Sequence, residues 1–235
     1  MTDDQLALTW WEYVRSDYEA TRDLDPTRSH GLARTFDVLS QAGFLSLVLY
    51  RSGASVHRRG HKLLARLLLH LNVFIFNCEI YPQTVIGPGA TITHPLGVAI
   101  GAGVVMGRDV RIHGLVRIGT AGYEDGRPDG FPVIGDRCRL FDHAMLFGPI
   151  EIGPDAKIGA NALVLHSVPA GAVVVAPQGV VLPSRNGNGS STDEALPDLG
   201  DAIDLRSEVG PSRHQVEGAA SGVDVRSEEL RDLAR

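Results

Sequence analysis

His94 lies in a short segment where the otherwise regular spacing of the chain slips, Ile92-Thr93-His94-Pro95-Leu96-Gly97. An imidazole changes its charge near neutral pH and is the side chain best matched to proton transfer. Glu79 stands earlier in the chain, and a carboxylate can orient an imidazole and stabilise its protonated form. These two residues predict general acid–base chemistry. The alternatives are an exposed polar residue on a turn for His94 and a solvated charge at a strand end for Glu79.

A bulky aliphatic side chain recurs every six residues between Ile80 and Val168, often followed directly by glycine. A period of six fits neither an α-helix nor a strand with two alternating faces, whereas a short strand followed by a turn repeats in this way. Stacked repeats bury a continuous core that no single repeat buries alone. The pattern predicts a parallel β-helix, with a β-sandwich of accidental spacing as the alternative. The aliphatic positions are Ile80, Ile86, Ile92, Ile100, Met106, Ile112, Ile118, Ile134, Leu140, Leu146, Ile152, Ile158 and Val164.

Three regions follow from the change of pattern along the chain. We predict an α-helical region over residues 1–76 and the β-helix over residues 77–183. Residues 184–235 hold few aliphatic side chains and are expected to be disordered, because they bury too little surface to offset the entropy of ordering. Insertions interrupt the β-helix at 94–97 and at 120–131, and loops that leave a rigid scaffold commonly carry function.

Turn-forming residues divide the helical region. Breaks are expected at Asp25-Pro26-Thr27 and at a basic turn that Gly53 and Gly60 flank. The apolar stretch 63–76 is too short to span a bilayer, which needs about 20 residues. We therefore predict an amphipathic helix packed on the rest of the protein, and no membrane partner.

The composition excludes several classes of function. The net charge is −6 and the isoelectric point is near 5.8, so bulk attraction to nucleic acid or to anionic lipid is not expected. Cys78 and Cys138 are the two cysteines, which is neither a disulfide framework nor a paired-cysteine zinc site. The first residues lack a basic segment followed by an apolar run, so no signal peptide is predicted and a reducing cytoplasm is expected.

Several local motifs, together with helices followed by this repeat, resemble the serine O-acetyltransferase family over about Trp10 to Val181. The resemblance implies a left-handed coil with three hexapeptides per turn, acetyl-CoA as co-substrate, and a homotrimer or dimer of trimers with the donor between subunits. The matching segments are Asp25-Pro26-Thr27, Leu49-Tyr50-Arg51, Phe76 through Pro82, Thr93-His94-Pro95-Leu96-Gly97, Arg117-Ile118-Gly119-Thr120 and Gly130-Phe131-Pro132-Val133-Ile134-Gly135.

The resemblance also assigns roles. His94 is implied as the general base that takes the proton of a substrate hydroxyl, and Glu79 as the residue that orients it. Backbone N–H groups near Gly119 and Thr120 are implied as donors to the tetrahedral oxyanion. Pantetheine is implied to run beside the later coils. The residues there are Gly159, Ala160, Asn161 and Ala162.

The chain departs from the family where the acceptor binds. Gly130 and Phe131 stand where longer members have an arginine that holds the acceptor carboxylate and a second histidine. Arg127 is a substitute for that arginine, and Thr93 replaces an aspartate that contacts substrate. With Asp25 they are the candidate substrate-binding residues. L-serine is the leading acceptor, and a sugar, an antibiotic or a serine-like metabolite is the alternative.

Two further alternatives concern metal and catalysis. A hexapeptide coil can carry a three-histidine zinc site between subunits, as in the γ-class carbonic anhydrases. Their closely spaced His-x4-His pair is absent from this sequence, so no metal is expected. A coil that acts only as a scaffold or regulatory subunit is the alternative to an enzyme. The missing second histidine favours it, and His94 and the retained loop argue against it.

Overall fold

The computed structural model describes residues 8–24, 32–121, 130–177 and 179. Within these residues four helices come first: α1 (Trp10–Asp23), α2 (Leu32–Leu39), α3 (Ala42–Arg58) and α4 (Lys62–Phe76). Thr9 caps α1 in a reciprocal capping box with Glu12. Asp25, with the expected break at Asp25-Pro26-Thr27, lies outside the described residues, as does the predicted disordered tail.

Fourteen short strands follow the helices and form a parallel coil. Successive strands fall in turn on three parallel sheets: sheet 1 (β1, β4, β7, β10, β13), sheet 2 (β2, β5, β8, β11) and sheet 3 (β3, β6, β9, β12, β14). A strand that returns to the same sheet after two others is the arrangement of a β-helix with three strands per turn. The strands β1 to β14 are Glu79–Ile80, Val85–Ile86, Thr91–Ile92, Ala99–Ile100, Val105–Met106, Arg111–Ile112, Arg117–Gly119, Val133–Ile134, Arg139–Leu140, Met145–Phe147, Glu151–Ile152, Lys157–Ile158, Leu163–Val164 and Val173–Val174.

The six-residue pattern sets the register of the coil. Ile92 pairs with Ile112, which pairs with Leu140, which pairs with Ile158, so the aliphatic positions stack in ladders inside the coil. These side chains are 0–2% exposed. Full burial of one such side chain contributes about 1.5–3 kcal/mol, and stacking makes the contribution additive along the coil.

The register continues across both insertions. Ile80 pairs with Ile100 across the turn that holds His94, and Ile118 pairs with Leu146 across the longer loop. The scaffold is therefore continuous across both insertions. Arg127 and its neighbours from 122 to 129 lie outside the described residues.

A buried ion pair joins the helices to the first coil. Arg51 of α3 binds Asp17 of α1 through two N–O contacts of 2.9 and 3.1 Å, and both side chains are at most 5% exposed. Arg51 also donates to the carbonyls of Ile86 and Gly87, and Asp17 accepts the backbone N–H of Ala90 at 3.0 Å. Burial raises the pKa of Asp17, and the positive charge of Arg51 opposes that shift. The pair fixes α1 and α3 against the coil.

One prediction about the helices is wrong. Gly53 does not flank a turn but lies buried inside α3, where α4 packs close to it, and the turn comes only after Arg58. The predicted helix over 63–76 packs on α3 and β1 through one face, with Ala65 and Asn72 buried, and leaves Leu63, Leu67 and Phe74 63–88% exposed in the single chain. Its apolar pattern therefore exceeds what the coil and α3 cover.

No single helix among the described residues has the length and hydropathy to cross a membrane. The bent pair Leu32–Leu39 and Ala42–Arg58, with 63° between the two helices, meets those criteria as a pair, by length and composition.

Candidate active site

Turns between sheet 3 and sheet 1 stack into a ridge that we call the His94 edge, residues 93–97, 113–115, 141–143 and 159–162. Backbone hydrogen bonds connect one turn to the next, from Leu115 N–H to the Leu96 carbonyl, from His143 N–H to Gly114 and from Asn161 N–H to Asp142, at 2.9–3.0 Å. His94 therefore lies on the same ridge as the residues implied to bind pantetheine. Those residues are Gly159, Ala160, Asn161 and Ala162.

The His94 imidazole is exposed, and Gly114 of the next coil lies directly against the backbone and Cβ of His94. A methyl group on Gly114 would approach His94 Cβ to 3.2 Å and Asp142 Oδ1 to 3.4 Å. Glycine at this position, which has no Cβ, therefore provides the space that His94 occupies.

Glu79 begins β1, beside the turn that holds His94. Glu79 N–H donates to the Val98 carbonyl and Gly97 N–H donates to the Asn77 carbonyl, each at 2.8 Å. The negative charge of Glu79 raises the pKa of Tyr81, with smaller effects of burial and of a side-chain hydrogen bond between them. Among the described residues no hydrogen bond joins the Glu79 and His94 side chains directly. The structure thus brings the two backbone segments together.

Gly119 and Thr120 lie at a different corner of the coil. They follow β7 at the far end of sheet 1, where the longer loop leaves, and a strand rises about 3.3 Å per residue. They are therefore roughly 10 Å further along the face than the residues beside His94. Phe131, on the same corner, packs over Gly101 and Gly103, where an added methyl group would overlap its ring. Its ring covers the coil at that corner.

Thr93 lines a cavity of about 310 Å³ between the helices and sheet 3. Arg111 and His113 contribute to it from the coil, and Arg34 and Asp37 from α2. The structure thereby places one predicted substrate-binding residue, next to His94, in a cavity with charged side chains in its lining. Asp25 and Arg127 lie outside the described residues.

His113 and Asp142 are in polar contact at the border of this cavity. His113 Nδ1 is 3.4 Å from Asp142 Oδ2, and Asp142 Oδ1 accepts the Gly114 N–H at 3.2 Å. The His113 ring also packs on Phe141, with 5.1 Å between ring centroids. Asp142 therefore holds His113 on one side and the turn beside His94 on the other.

Four residues at or beside this cavity were not predicted as part of a site: Arg34, Arg111, His113 and Asp142. The coil register contains a signal that would have found two of them, because Thr91 pairs with Arg111 and Thr93 N–H donates to the Ile112 carbonyl. Thr93 and His113 are thus neighbours on adjacent coils. Arg34 carries no such signal, since it reaches the cavity from a helix.

Across residues 8–24, 32–121 and 130–177, His, Cys, Asp and Glu side chains form no group of three or more that could hold a metal ion.

A parallel coil of hexapeptides with an exposed imidazole on a turn defines a hexapeptide-repeat acyltransferase. No model of a known protein family matches the chain. Serine acetyltransferase of Mycobacterium tuberculosis is 36% identical over 187 residues, which cover 79% of the chain and 80% of that protein. Serine acetyltransferase of Bacillus subtilis is 30% identical over 196 residues, which cover 83% and 87%. The chain belongs to the serine acetyltransferase family.

Solved structures agree with these relatives. Serine acetyltransferase isoform 3 of Entamoeba histolytica, in complex with cysteine, matches with a TM-score of 0.67 at 25% identity, over 75% of this chain and 61% of that one. The Neisseria gonorrhoeae enzyme, in complex with serine, matches with a TM-score of 0.64 at 28% identity, over 72% and 67%. This chain thus spans about two thirds of the length of the solved chains or slightly less.

The predicted family, the left-handed parallel β-helix and the acyltransferase class are confirmed. The relatives support the predicted serine O-acetyltransferase function, and serine acetyltransferases use acetyl-CoA as co-substrate. The roles of the site residues, the region boundaries, the oligomeric state and the compartment stay predictions.

Proposed function

We propose that this chain transfers the acetyl group of acetyl-CoA to the hydroxyl of L-serine, with His94 as the general base. The observation that carries the proposal is the His94 edge, which has an exposed imidazole on its first turn and the residues implied to bind pantetheine on its last. The solved relative that contains serine supports this acceptor.

The reaction is a direct transfer. His94 takes the proton of the acceptor hydroxyl, and the oxygen attacks the thioester carbonyl carbon. The tetrahedral intermediate collapses with cleavage of the carbon–sulfur bond, and the leaving CoA sulfur receives the proton from His94. Glu79, on the strand beside the His94 turn, stabilises the imidazolium that forms between these steps.

The oxyanion donors come from another subunit. Within one chain Gly119 and Thr120 lie at a different corner from His94, too far along the face to bind the carbonyl oxygen of a thioester whose attacking hydroxyl is bound to His94. A groove between two coils brings the His94 edge of one chain against the loop corner of its neighbour. Backbone N–H groups at that corner then bind the developing negative charge.

A homotrimer or a dimer of trimers supplies such grooves. The exposed apolar side chains of α4 support association, because patches of this kind are uncommon on monomeric proteins. Thr93, Asp25 and Arg127 contact the acceptor. Gly159, Ala160, Asn161 and Ala162 line the path of pantetheine.

The test is release of free CoA from acetyl-CoA against a panel of hydroxyl acceptors, L-serine first, with the mass in solution measured on the same sample. Turnover with L-serine by a trimer or a dimer of trimers supports the proposal. Turnover with another acceptor alone contradicts the acceptor, and a monomer that turns over L-serine contradicts the shared groove. No release with any acceptor contradicts the enzyme and favours a scaffold.

A further inference from the structure

We infer that the cavity between α2 and sheet 3 binds the carboxylate group of the acceptor, and that Arg111 and Arg34 hold it. This inference rests on the proposed function, and it assigns the group that replaces the arginine missing at Gly130. Neither Arg111 nor Arg34 belongs to the local motifs that carry the resemblance to the family.

The position of the cavity is the first argument. Thr93 lines it and His94 is the next residue, so the cavity lies beside the turn that holds the proposed base, within reach of a small acceptor. A volume of about 310 Å³ is at the lower end of the range for small-molecule sites, roughly 300–1,000 Å³. The cavity therefore suits an amino acid better than a sugar chain or an antibiotic.

The charges of its lining are the second argument. The backbone N–H of Arg111 donates to the Cys138 carbonyl, but its guanidinium makes no hydrogen bond or ion pair with any residue that the structure describes. Arg34 donates from one terminal nitrogen to the Arg22 carbonyl at 2.9 Å, but its Nε is buried and has no partner among the described residues. A buried, unsatisfied donor is costly, and a carboxylate accepts two parallel hydrogen bonds from a guanidinium. An acceptor carboxylate satisfies both arginines.

Arg111 differs from its neighbours on the coil. Arg111 pairs in register with Arg139, and Arg139 with Lys157, so three cations form a row on the outer face of sheet 3. Arg139 and Lys157 are exposed and do not line this cavity, whereas Arg111 is half-buried and does. Arg139 is therefore a matched control: the same residue type, one coil away, on the same face.

The experiment compares Arg111→Gln and Arg139→Gln on the full chain, with L-serine and L-serinamide as acceptors and acetyl-CoA held constant. L-Serinamide keeps the hydroxyl and the amino group and lacks the carboxylate charge. We expect Arg111→Gln to raise the KM for L-serine roughly 10- to 100-fold, with less than about a threefold change for L-serinamide. Arg139→Gln is expected to change neither KM value. Arg111→Lys is expected to give a KM for L-serine between those of wild type and Arg111→Gln, because lysine keeps the positive charge but cannot donate two parallel hydrogen bonds as a guanidinium does.

The outcomes separate this inference from the proposed function. Equal effects of the two glutamine variants, or an unchanged ratio of KM values between the two acceptors, overturn the role of Arg111. If the protein shows no turnover, calorimetric binding of L-serine to the same variants still tests the role of Arg111. Binding that depends on Arg111 while wild type shows no turnover supports the site and contradicts the activity. Binding that does not depend on Arg111, or absence of binding, overturns the inference.

Discussion

Gly114 lies so close to His94 that a single added methyl group would come within 3.2 Å of the His94 Cβ. The two residues are on neighbouring coils, and backbone hydrogen bonds connect their turns. Gly114 therefore limits the position of the His94 side chain, although glycine has no side-chain group that could transfer a proton.

Gly114→Ala is expected to lower kcat while leaving the coil folded. The added Cβ forces the His94 turn to shift by a few tenths of an ångström, and such misplacement of a base reduces kcat by roughly 10- to 100-fold. Gly53→Ala is the control, because its Cβ would meet no atom closer than 3.7 Å and alanine favours the helix. Steady-state kinetics on both variants checks the prediction, and a Gly114→Ala protein with wild-type kcat would contradict it.

His94→Ala is expected to lower kcat by roughly 100- to 10,000-fold, the usual contribution of a positioned general base. His143 supplies the matched control, since it is an exposed histidine on the same edge, one coil beyond Gly114. His143→Asn fits the positive φ of 60° at this turn and is expected to leave kcat unchanged. A loss of equal size in both variants would show that the edge, and not His94, is sensitive to substitution.

Glu79→Gln is expected to reduce kcat by roughly 10- to 1,000-fold, because the neutral amide no longer stabilises the imidazolium. Tyr81→Phe, which removes the hydroxyl that interacts with Glu79, is expected to change kcat less than about threefold. The negative charge of Glu79 raises the pKa of Tyr81, so Glu79→Gln also lowers that pKa toward its usual value. Ultraviolet titration of the tyrosine, by difference against Tyr81→Phe, measures this shift. Unchanged kcat in Glu79→Gln would exclude an orienting role.

Much of the fold can be predicted from the sequence because every hexapeptide repeats the same pattern, an inward aliphatic residue followed by a turn. Ile112, Leu140 and Ile158 were predicted as inward positions from spacing alone, and they stack in one ladder. The helical region is less predictable, since its tertiary contacts decide its limits. Gly53 continues α3 because it packs beside α4, although glycine in isolation favours a break.

The site residues also differ in how far the sequence predicts them. His94 was predictable because the repeat slips at that residue. Arg34 was not, because a helix brings it to the cavity from a part of the sequence with no period in common with the coil. Gly119 and Thr120, which their motif implies as oxyanion donors, lie at another corner of the coil than His94, and sequence order alone does not show that separation.

Asp17→Asn is expected to lower the free energy of unfolding by about 3–5 kcal/mol, because it leaves the Arg51 charge buried without its counter-charge. The exposed pair of Arg15 and Glu19 on the same helix is the control, and Glu19→Gln is expected to change stability by less than about 0.5 kcal/mol. Chemical denaturation of both variants measures the difference. Similar losses in the two variants would contradict a structural role for the buried pair.

The free energy of unfolding is expected to fall between about pH 9 and 12. Burial raises the pKa of Cys78 and of Cys138 from 9.0 to about 11, and that of Tyr50 from 10.0 to about 12. The folded state therefore holds these protons more tightly than the unfolded state. The resulting stability is fully present below pH 9 and is lost as the pH rises through the folded values, by about 1.4 kcal/mol per pH unit for each group.

Cys138→Ala tests this origin of the alkaline instability. The equivalent small positions Ala144 and Ala156 are fully buried, so alanine fits the coil. Removing one titrating thiol makes the fall in unfolding free energy shallower between pH 9 and 11. Denaturant unfolding at several pH values compares the variant with wild type, and two parallel curves would contradict the assignment to Cys138. Because both thiols are buried, neither is expected to react with a thiol reagent in the native protein. A thiol reagent therefore detects only the CoA that turnover releases.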